Sequence, residues 1–166
     1  MKIIGPTPCL WFDDRIKEAA DFYVSIFPNS KLGKIAYYPD TGKEIHGHDA
    51  GKILTVEIEI NGQPFVLLNG GPQFKFSEAI SFQVACDSQK EIDYFWGKLL
   101  EGGGQESMCG WLKDRFGLSW QIFPSMMPKI LSEGTPEERK RVMEAFMKMK
   151  KFIFADIEAA RRGNAA

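Results

Sequence analysis

Cysteine is scarce. The three residues, Cys9, Cys86 and Cys109, are odd in number, far apart and without a CxxC pair. That spacing excludes a disulfide framework and a zinc ribbon, both of which need paired thiols, and it fits reduced thiols in a cytoplasm with no secretory segment ahead of them. Long hydrophobic runs are missing as well. No stretch approaches the roughly 20 apolar residues that cross a bilayer, so a soluble protein without a membrane partner is expected. Nor is there an excess of charge: 21 Lys and Arg stand against 22 Asp and Glu, a formal net charge of -1. Such a chain has no overall field to gather nucleic acid around it. Histidine is limited to His46 and His48.

What is present is a folded composition. Residues of hydrophobic type make up 44% of the 166, and Phe alone occurs 13 times, so the chain can bury a core and that core is aromatic. An internal repeat fixes the expected architecture. Asp14 and Lys17-Glu18 lead to Phe22-Tyr23 and then Ile26-Phe27, while Asp87 and Lys90-Glu91 lead at the same spacings to Phe95-Trp96 and then Leu99-Leu100. Each copy reads as one amphipathic helix. In the first, Ile16, Ala19, Ala20, Tyr23 and Phe27 share a face, Asp14 is placed to cap the helix start, and Pro28-Asn29 ends it. In the second, Ser88 and Glu91 form a capping box and Gly102-Gly103-Gly104 stops the run.

A strand-like stretch precedes each helix, at 8–12 and 80–86, and further strands follow. In the first half these are 31–38, 53–60 and 64–69; in the second, a segment near Gln105, then 109–113 and 119–123. From Thr55 to Ile60 polar and apolar residues alternate, as on a sheet with one wet face, and Asn61-Gly62 is a tight hairpin turn. The fold class is therefore α+β, with βαβββ occurring twice. The expected modules are 1–70 and 71–126 of one structural domain, joined at Gly70-Gly71-Pro72, with 127–166 a C-terminal helical extension. Residues 40–52, with three glycines among charges, read as an exposed, mobile loop that carries both histidines. Thr135-Pro136-Glu137-Glu138 starts a long C-terminal helix on which Val142, Met143, Phe146, Met149, Ile153 and Ile157 keep a helical period.

The segments running from Asn69-Gly70-Gly71-Pro72 to Ser81-Phe82, and from Cys109-Gly110-Trp111 through Asp114-Arg115-Phe116-Gly117 to Trp120-Gln121, resemble signatures of the PhnB-like family. Its members often carry the label 3-demethylubiquinone-9 3-methyltransferase, and they belong to the vicinal oxygen chelate superfamily of glyoxalases, bleomycin-resistance proteins and extradiol dioxygenases. The resemblance covers nearly the whole chain. It implies paired βαβββ modules forming a cupped mixed sheet, glyoxalase/bleomycin resistance-like, plus a C-terminal helix, and commonly a homodimer.

In the metal enzymes of that superfamily, His or Glu ligands stand on the first and last strand of each module. Here Gln121 occupies the position that is commonly a metal-binding Glu, and an amide is a weak, neutral ligand. The opening strand offers Thr7, Cys9 and Trp11, and the last strand of the first half Val66 or Leu68. The strand at 80–86 offers Ser81, Gln83 and Ala85 in one register, or Phe82 and Val84 in the other. None is His, Asp or Glu, so no catalytic metal is expected. His46 and His48 lack a supporting carboxylate or Cys pattern and read as exposed loop residues.

The label also implies S-adenosylmethionine, which needs a glycine-rich loop between a strand and a helix. Gly70-Gly71-Pro72 opens no helix and the run from Gly102 to Gly104 follows one, so no cofactor is expected.

What remains is a cup with aromatic and neutral polar walls, the make-up of a small-molecule pocket. Its expected lining is Cys9, Trp11, Asn69, Gln83, Trp111 and Gln121, with core packing the alternative for each Trp and a satisfied sheet-edge amide the alternative for Asn69 and Gln121. Cys109 has no evident His or acidic partner and reads as an inert buried thiol, and Lys113-Asp114 as a structural ion pair or turn contact. No catalytic residue is assigned. The leading function is a metal-free protein that binds a hydrophobic or aromatic small molecule. The alternatives are an enzyme, whether the labelled methyltransferase or a metal-dependent relative, and a scaffold acting through its dimer surface.

Overall fold

Leu10 and Phe12 alternate with Cys9 and Trp11 along β1 (Cys9–Phe12), and the alternation sorts them onto two faces. Leu10 and Phe12 are buried, on the side covered by α1 (Ile16–Ile26), whose Ile16, Ala19, Ala20, Tyr23 and Ile26 are buried at helical spacing. Three strands follow: β2 (Lys31–Tyr37), β3 (Ile53–Ile60) and β4 (Gln63–Asn69), with α2 (Lys43–His46) between the first two. Val56, Ile58, Phe65 and Leu67 complete this core. At about 1.5–3 kcal/mol for each large apolar side chain, its burial is what drives the helix onto the sheet.

The computed structural model describes residues 5–164. The chain divides into two compact units, Met1–Lys75 and Phe76–Ala166. In the first the strand order is β1-β4-β3-β2, with β1 parallel to β4 and the other neighbours antiparallel. The second repeats it. Here β5 (Ser81–Cys86), α3 (Gln89–Leu100), β6 (Gln105–Glu106), β7 (Trp111–Lys113) and β8 (Ser119–Pro124) form a sheet of order β5-β8-β7-β6, with β5 parallel to β8. Ile92, Trp96 and Leu99 of α3 are buried with Leu112, Trp120, Ile122 and Cys86. The βαβββ repeat expected from the sequence is thus a repeat of topology as well.

Local signals act mostly as read. Asn61 and Gly62 both have positive φ, 46° and 84°, which is what a two-residue turn between β3 and β4 requires. Ser88 Oγ accepts the Glu91 amide at 3.3 Å, as the expected cap requires, while the Glu91 carboxylate reaches back to the amide of Asp87, one residue ahead of the N-cap, at 2.6 Å. The first helix differs. Asp14 (φ 90°) accepts the amide of Arg15 instead of capping the helix, and Arg15 is the N-cap residue, whose guanidinium donates to the Glu18 carboxylate in the first turn at 2.7 Å rather than satisfying a helix amide. The expected strand at 109–113 begins later, at Trp111, because Cys109 (φ 58°) and Gly110 (φ 77°) form a turn ahead of it.

The C-terminal extension is helical but divided. After α4 (Met127–Glu133), Thr135 Oγ1 accepts the Glu138 amide and opens α5 (Pro136–Phe146), as its sequence foretold. The apolar period continues past Phe146, yet the helix stops. The carbonyls of Met149 and Lys150 accept the amides of Cys109 and Gly110, each at 2.7 Å, so that stretch is tied to the turn before β7 and cannot serve a helix. The chain then enters α6 (Phe154–Arg162), which Arg141 of α5 holds by donating to the carbonyls of Ala160 and Arg161.

The loop carrying the histidines is more ordered than its composition suggests. His46 and His48 are half-buried and both pack on the ring of Tyr38, at centroid distances of 4.5 and 4.6 Å. His46 Nδ1 accepts the amide of His48 at 3.1 Å. The expectation of exposed histidines fails because Tyr38, one residue beyond β2, supplies a flat apolar surface for both rings.

Candidate functional site

Strand parity places the expected site residues. In the first unit, Cys9 and Trp11 lie on the face away from α1, in register with Val66 and Leu68. Asn69 does not. It pairs with Phe12 and continues the buried series Phe65, Leu67, Asn69 on the helix side. There its Nδ2 donates to the Ile53 carbonyl at 3.1 Å and its backbone carbonyl accepts the Tyr38 hydroxyl. Trp11 donates its indole N–H to the Gly71 carbonyl at 2.8 Å and meets Phe74 edge to face. A Cβ on Gly70 would lie 2.4 Å from the Trp11 ring, which explains the glycine there. Trp11 anchors the segment that follows β4. Cys9 is exposed, and partial burial pushes its thiol up from the ordinary value.

In the second unit the register resolves to Ser81, Gln83 and Ala85 on the open face. Gln83, Gln121 and Trp111 form one row across β5, β8 and β7. The neighbouring row is Ser81, Ser119, Lys113 and Gln105. Gln121 links the rows: its Nε2 donates to Ser81 Oγ at 2.7 Å, while its Oε1 receives a long 3.4 Å contact from Gln83.

Beside these rows lies a cavity of about 470 Å³. Trp111 and Met108 give it apolar walls, and Glu78, Glu106, Lys113 and Ser119 give it polar ones. Lys113 Nζ stands 2.5 Å from the Glu78 carboxylate, and this hydrogen bond holds Glu78 below the usual carboxylate value. Glu106 is committed elsewhere, accepting the Trp96 indole N–H at 3.0 Å and facing Lys150 at 3.6 Å. Ser119 is 1% exposed, and its hydroxyl has no hydrogen-bond partner. Buried hydroxyls are rarely left so.

Of the residues expected to line a pocket, Trp111 borders the cavity and Gln83 and Gln121 stand in the adjoining row. Lys113, Glu78 and Ser119 were missed, although Lys113 and Ser119 lie two positions from Trp111 and Gln121 and share their faces by period alone. Cys109 was expected to be buried. It is half-buried and borders the cavity, because the turn that raises its φ leaves the side chain outside the sheet core. The buried thiol is Cys86, whose pKa burial pushes up to about 12.

A divalent metal needs several imidazole, thiolate or carboxylate donors converging on one point. On the open faces of β1, β4, β5 and β8 stand Cys9, Trp11, Val66, Leu68, Ser81, Gln83, Ser119 and Gln121. Among the described residues no three His, Cys, Asp or Glu side chains come together as a metal cluster. These residues do not fit a divalent-metal site. They do not fit a nucleoside cofactor either. The β1–α1 connection, Asp13-Asp14-Arg15, has no glycine, and the start of α3 is already capped by Ser88 and flanked by the acids Asp87 and Glu91.

Two units of order 1-4-3-2, each with a helix on one face and an open second face, define the class: this is the paired βαβββ fold of the vicinal oxygen chelate superfamily. The chain belongs to the PhnB-like family whose sequence model is described as 3-demethylubiquinone-9 3-methyltransferase, which matches residues 5–123. A PhnB protein of Bacillus cereus bearing that same methyltransferase description is 30% identical, with a TM-score of 0.61 over 70% of this chain and 96% of its own. Protein PA1353 from Pseudomonas aeruginosa shares the fold at 19% identity and a TM-score of 0.58, over 74% of this chain and 98% of its own. The fosfomycin resistance protein FosX from Listeria monocytogenes, complexed with manganese(II) and sulfate, shares it at 13% identity and a TM-score of 0.51, over 79% of this chain and 97% of its own. No curated protein matches the chain. No helix among the described residues is long and apolar enough to cross a membrane.

Proposed function

We propose that this chain is a metal-free small-molecule binding protein whose ligand, hydrophobic or aromatic in body, sits on the open face of the second unit. One observation carries the reading: a cavity of about 470 Å³ combines the faces of Trp111 and Met108 with a buried hydroxyl, Ser119 Oγ, that has no partner. The volume lies within the roughly 300–1,000 Å³ of small-molecule sites, where apolar walls supply affinity and a few polar groups fix orientation. The neutral amides of Gln83 and Gln121 extend the same polar floor. Cys9 and Trp11 would play a corresponding part on the first sheet, whereas Asn69 lies on the helix side with its Nδ2 on the Ile53 carbonyl.

The reading includes a homodimer in the cytoplasm. Three free cysteines fit a reducing compartment, and the exposed apolar side chains Leu32, Tyr37 and Ile45, on and beside the edge strand β2, offer a surface that a second subunit would cover.

The test is native mass spectrometry of untagged protein purified without added metal, set beside its denatured mass and an elemental analysis. A metal-free dimer that carries an organic adduct, lost in Trp111→Ala, is expected. Stoichiometric zinc, iron, nickel or manganese would overturn the metal-free reading, and a monomer would overturn the dimer. Tight S-adenosylmethionine binding in calorimetry would move the function to methyl transfer.

A further inference from the structure

We propose that the cavity of the second unit selects a small aromatic carboxylic acid, whose carboxylate replaces Glu78 on Lys113 and accepts the hydroxyl of Ser119 while the ring lies against Trp111 and Met108. The inference rests on the binding reading above and names the ligand class for that site.

The charges decide the sign of the ligand. Glu78 and Glu106 are the acids at the cavity, and among the described residues Lys113 is the one Lys or Arg lining it. Glu106 is held by Trp96 and Lys150 and is not available to answer Lys113. The partner of Lys113 is therefore Glu78, which lies in a turn before β5 with its side chain 63% exposed, against 35% for Lys113. An ion pair with one long exposed arm is weak and easily exchanged. A ligand carboxylate that takes the place of Glu78 leaves the charge on Lys113 matched and returns the Glu78 carboxylate to water. A cationic ligand would put a second positive charge beside Lys113, and a neutral one would leave that ammonium without a counter-charge once Glu78 was displaced.

A second polar group lies next to Lys113, beneath the cavity floor. Lys113 and Ser119 are register partners across β7 and β8, so their Cβ atoms are about 5 Å apart on one face and both can reach a single carboxylate. Ser119 Oγ is buried without a partner, and a carboxylate oxygen would give its proton an acceptor. Trp111 is two residues from Lys113 on the same strand and face, about 6.6 Å along it, which is the separation of a carboxylate from the far edge of a benzyl group. The carboxylate of Glu78 thus stands where the carboxylate of the ligand would go.

The test uses the full chain. Phenylacetate and indole-3-acetate are titrated by calorimetry and by NMR of the tryptophan indole N–H signals, against the neutral phenylacetamide and the cationic phenethylamine. The acids are expected to bind, moving the Trp111 signal, with the amide and the amine at least about 10-fold weaker. Glu78→Gln removes the competing carboxylate from an exposed position and is expected to tighten phenylacetate about 3-fold or more. Lys113→Met is expected to weaken it about 10-fold or more, and Ser119→Ala by about 5-fold, each variant being checked for native fold by circular dichroism. Equal binding of amide and acid, preference for the amine, or unchanged affinity in Glu78→Gln would overturn the carboxylate class and leave the cavity as a binding site. Failure of all four probes would overturn the class as well, while the broader reading would still be judged by the adduct retained on purification.

Discussion

Asp114 accepts the indole N–H of Trp120 through Oδ2 at 2.9 Å, deep beneath the sheet of the second unit. Its other oxygen accepts the amides of Phe116 at 2.8 Å and Leu118 at 3.1 Å, so one carboxylate, 3% exposed, closes the turn between β7 and β8 and fixes the ring below it. The family-like segment from Asp114 to Trp120 therefore has a structural reading: the carboxylate is spent on buried donors and is not free for acid–base work.

Asp114→Ala leaves those donors buried and unpaired, and a loss of about 2–4 kcal/mol in unfolding free energy is expected. Asp114→Asn should cost nearly as much, since an amide turns a donor toward a donor. Trp120→Phe, which removes one hydrogen bond and some area, should cost less than either. Urea unfolding of the three variants measures the order. Equal, small losses would mean that the turn holds without its carboxylate.

Gly110 carries a different load. It has φ 77°, and a Cβ there would lie 2.4 Å from the Phe152 ring and 2.5 Å from the Ile122 carbonyl. Gly110→Ala should therefore cost about 2 kcal/mol or more, from the disfavoured backbone region and the overlap together. The damage should centre on the contact between the 109–110 turn and the 149–152 stretch. Hydrogen exchange would show it as faster exchange of the Cys109 and Gly110 amides, which donate to Met149 and Lys150. A variant with native protection at those amides would contradict the close packing.

Much of this fold is written locally, and the local parts are legible in the sequence. The spacing of Ile16, Ala19, Ala20 and Tyr23, the capping pair Ser88 and Glu91, and the Asn61-Gly62 turn each act within a few residues, so pattern and outcome agree. Where distant groups compete, the pattern misleads. The helical period from Val142 to Ile157 is real, but the carbonyls of Met149 and Lys150 find the Cys109-Gly110 turn, which no local rule contains. Asn69 was misplaced for another reason. Its polarity suggested a pocket, while its parity with Phe65 and Leu67 put it in the core with a backbone partner for its amide. Lys113 and Glu78 pair across the sheet, and the lack of a partner at Ser119 is a property of the packed state alone.

The three thiols should separate by accessibility and charge state. Cys86 is fully buried, and desolvation, with smaller contributions from Glu91 and Asp87, pushes its pKa to about 12, so at pH 8 it is a shielded, protonated thiol. Cys9 is exposed and Cys109 half-buried. Iodoacetamide at pH 8, read by peptide mass spectrometry, should label Cys9 first and Cys109 next, and Cys86 only after denaturation. Labelling of native Cys86 at the rate of Cys9 would mean that β5 opens readily.

The tie between α3 and the 147–153 stretch should weaken in acid. Lys151 Nζ lies 2.5 Å from Asp93, and its hydrogen bond, followed by that of Gln89, holds the Asp93 carboxyl below its ordinary value of 3.8. A carboxyl whose pKa is lower in the folded state favours folding above its unfolded value, and that contribution fades as pH falls through the folded value. The pair is half-exposed, so its worth is at most about 1 kcal/mol at neutral pH. Wild type should therefore exceed Lys151→Met in unfolding free energy by that small margin at pH 6, and the gap should narrow progressively as the pH falls below 3.8. A gap that did not narrow at all as the pH fell below 3.8 would mean that Lys151 acts by packing its stem along the helix and not through the charge of Asp93.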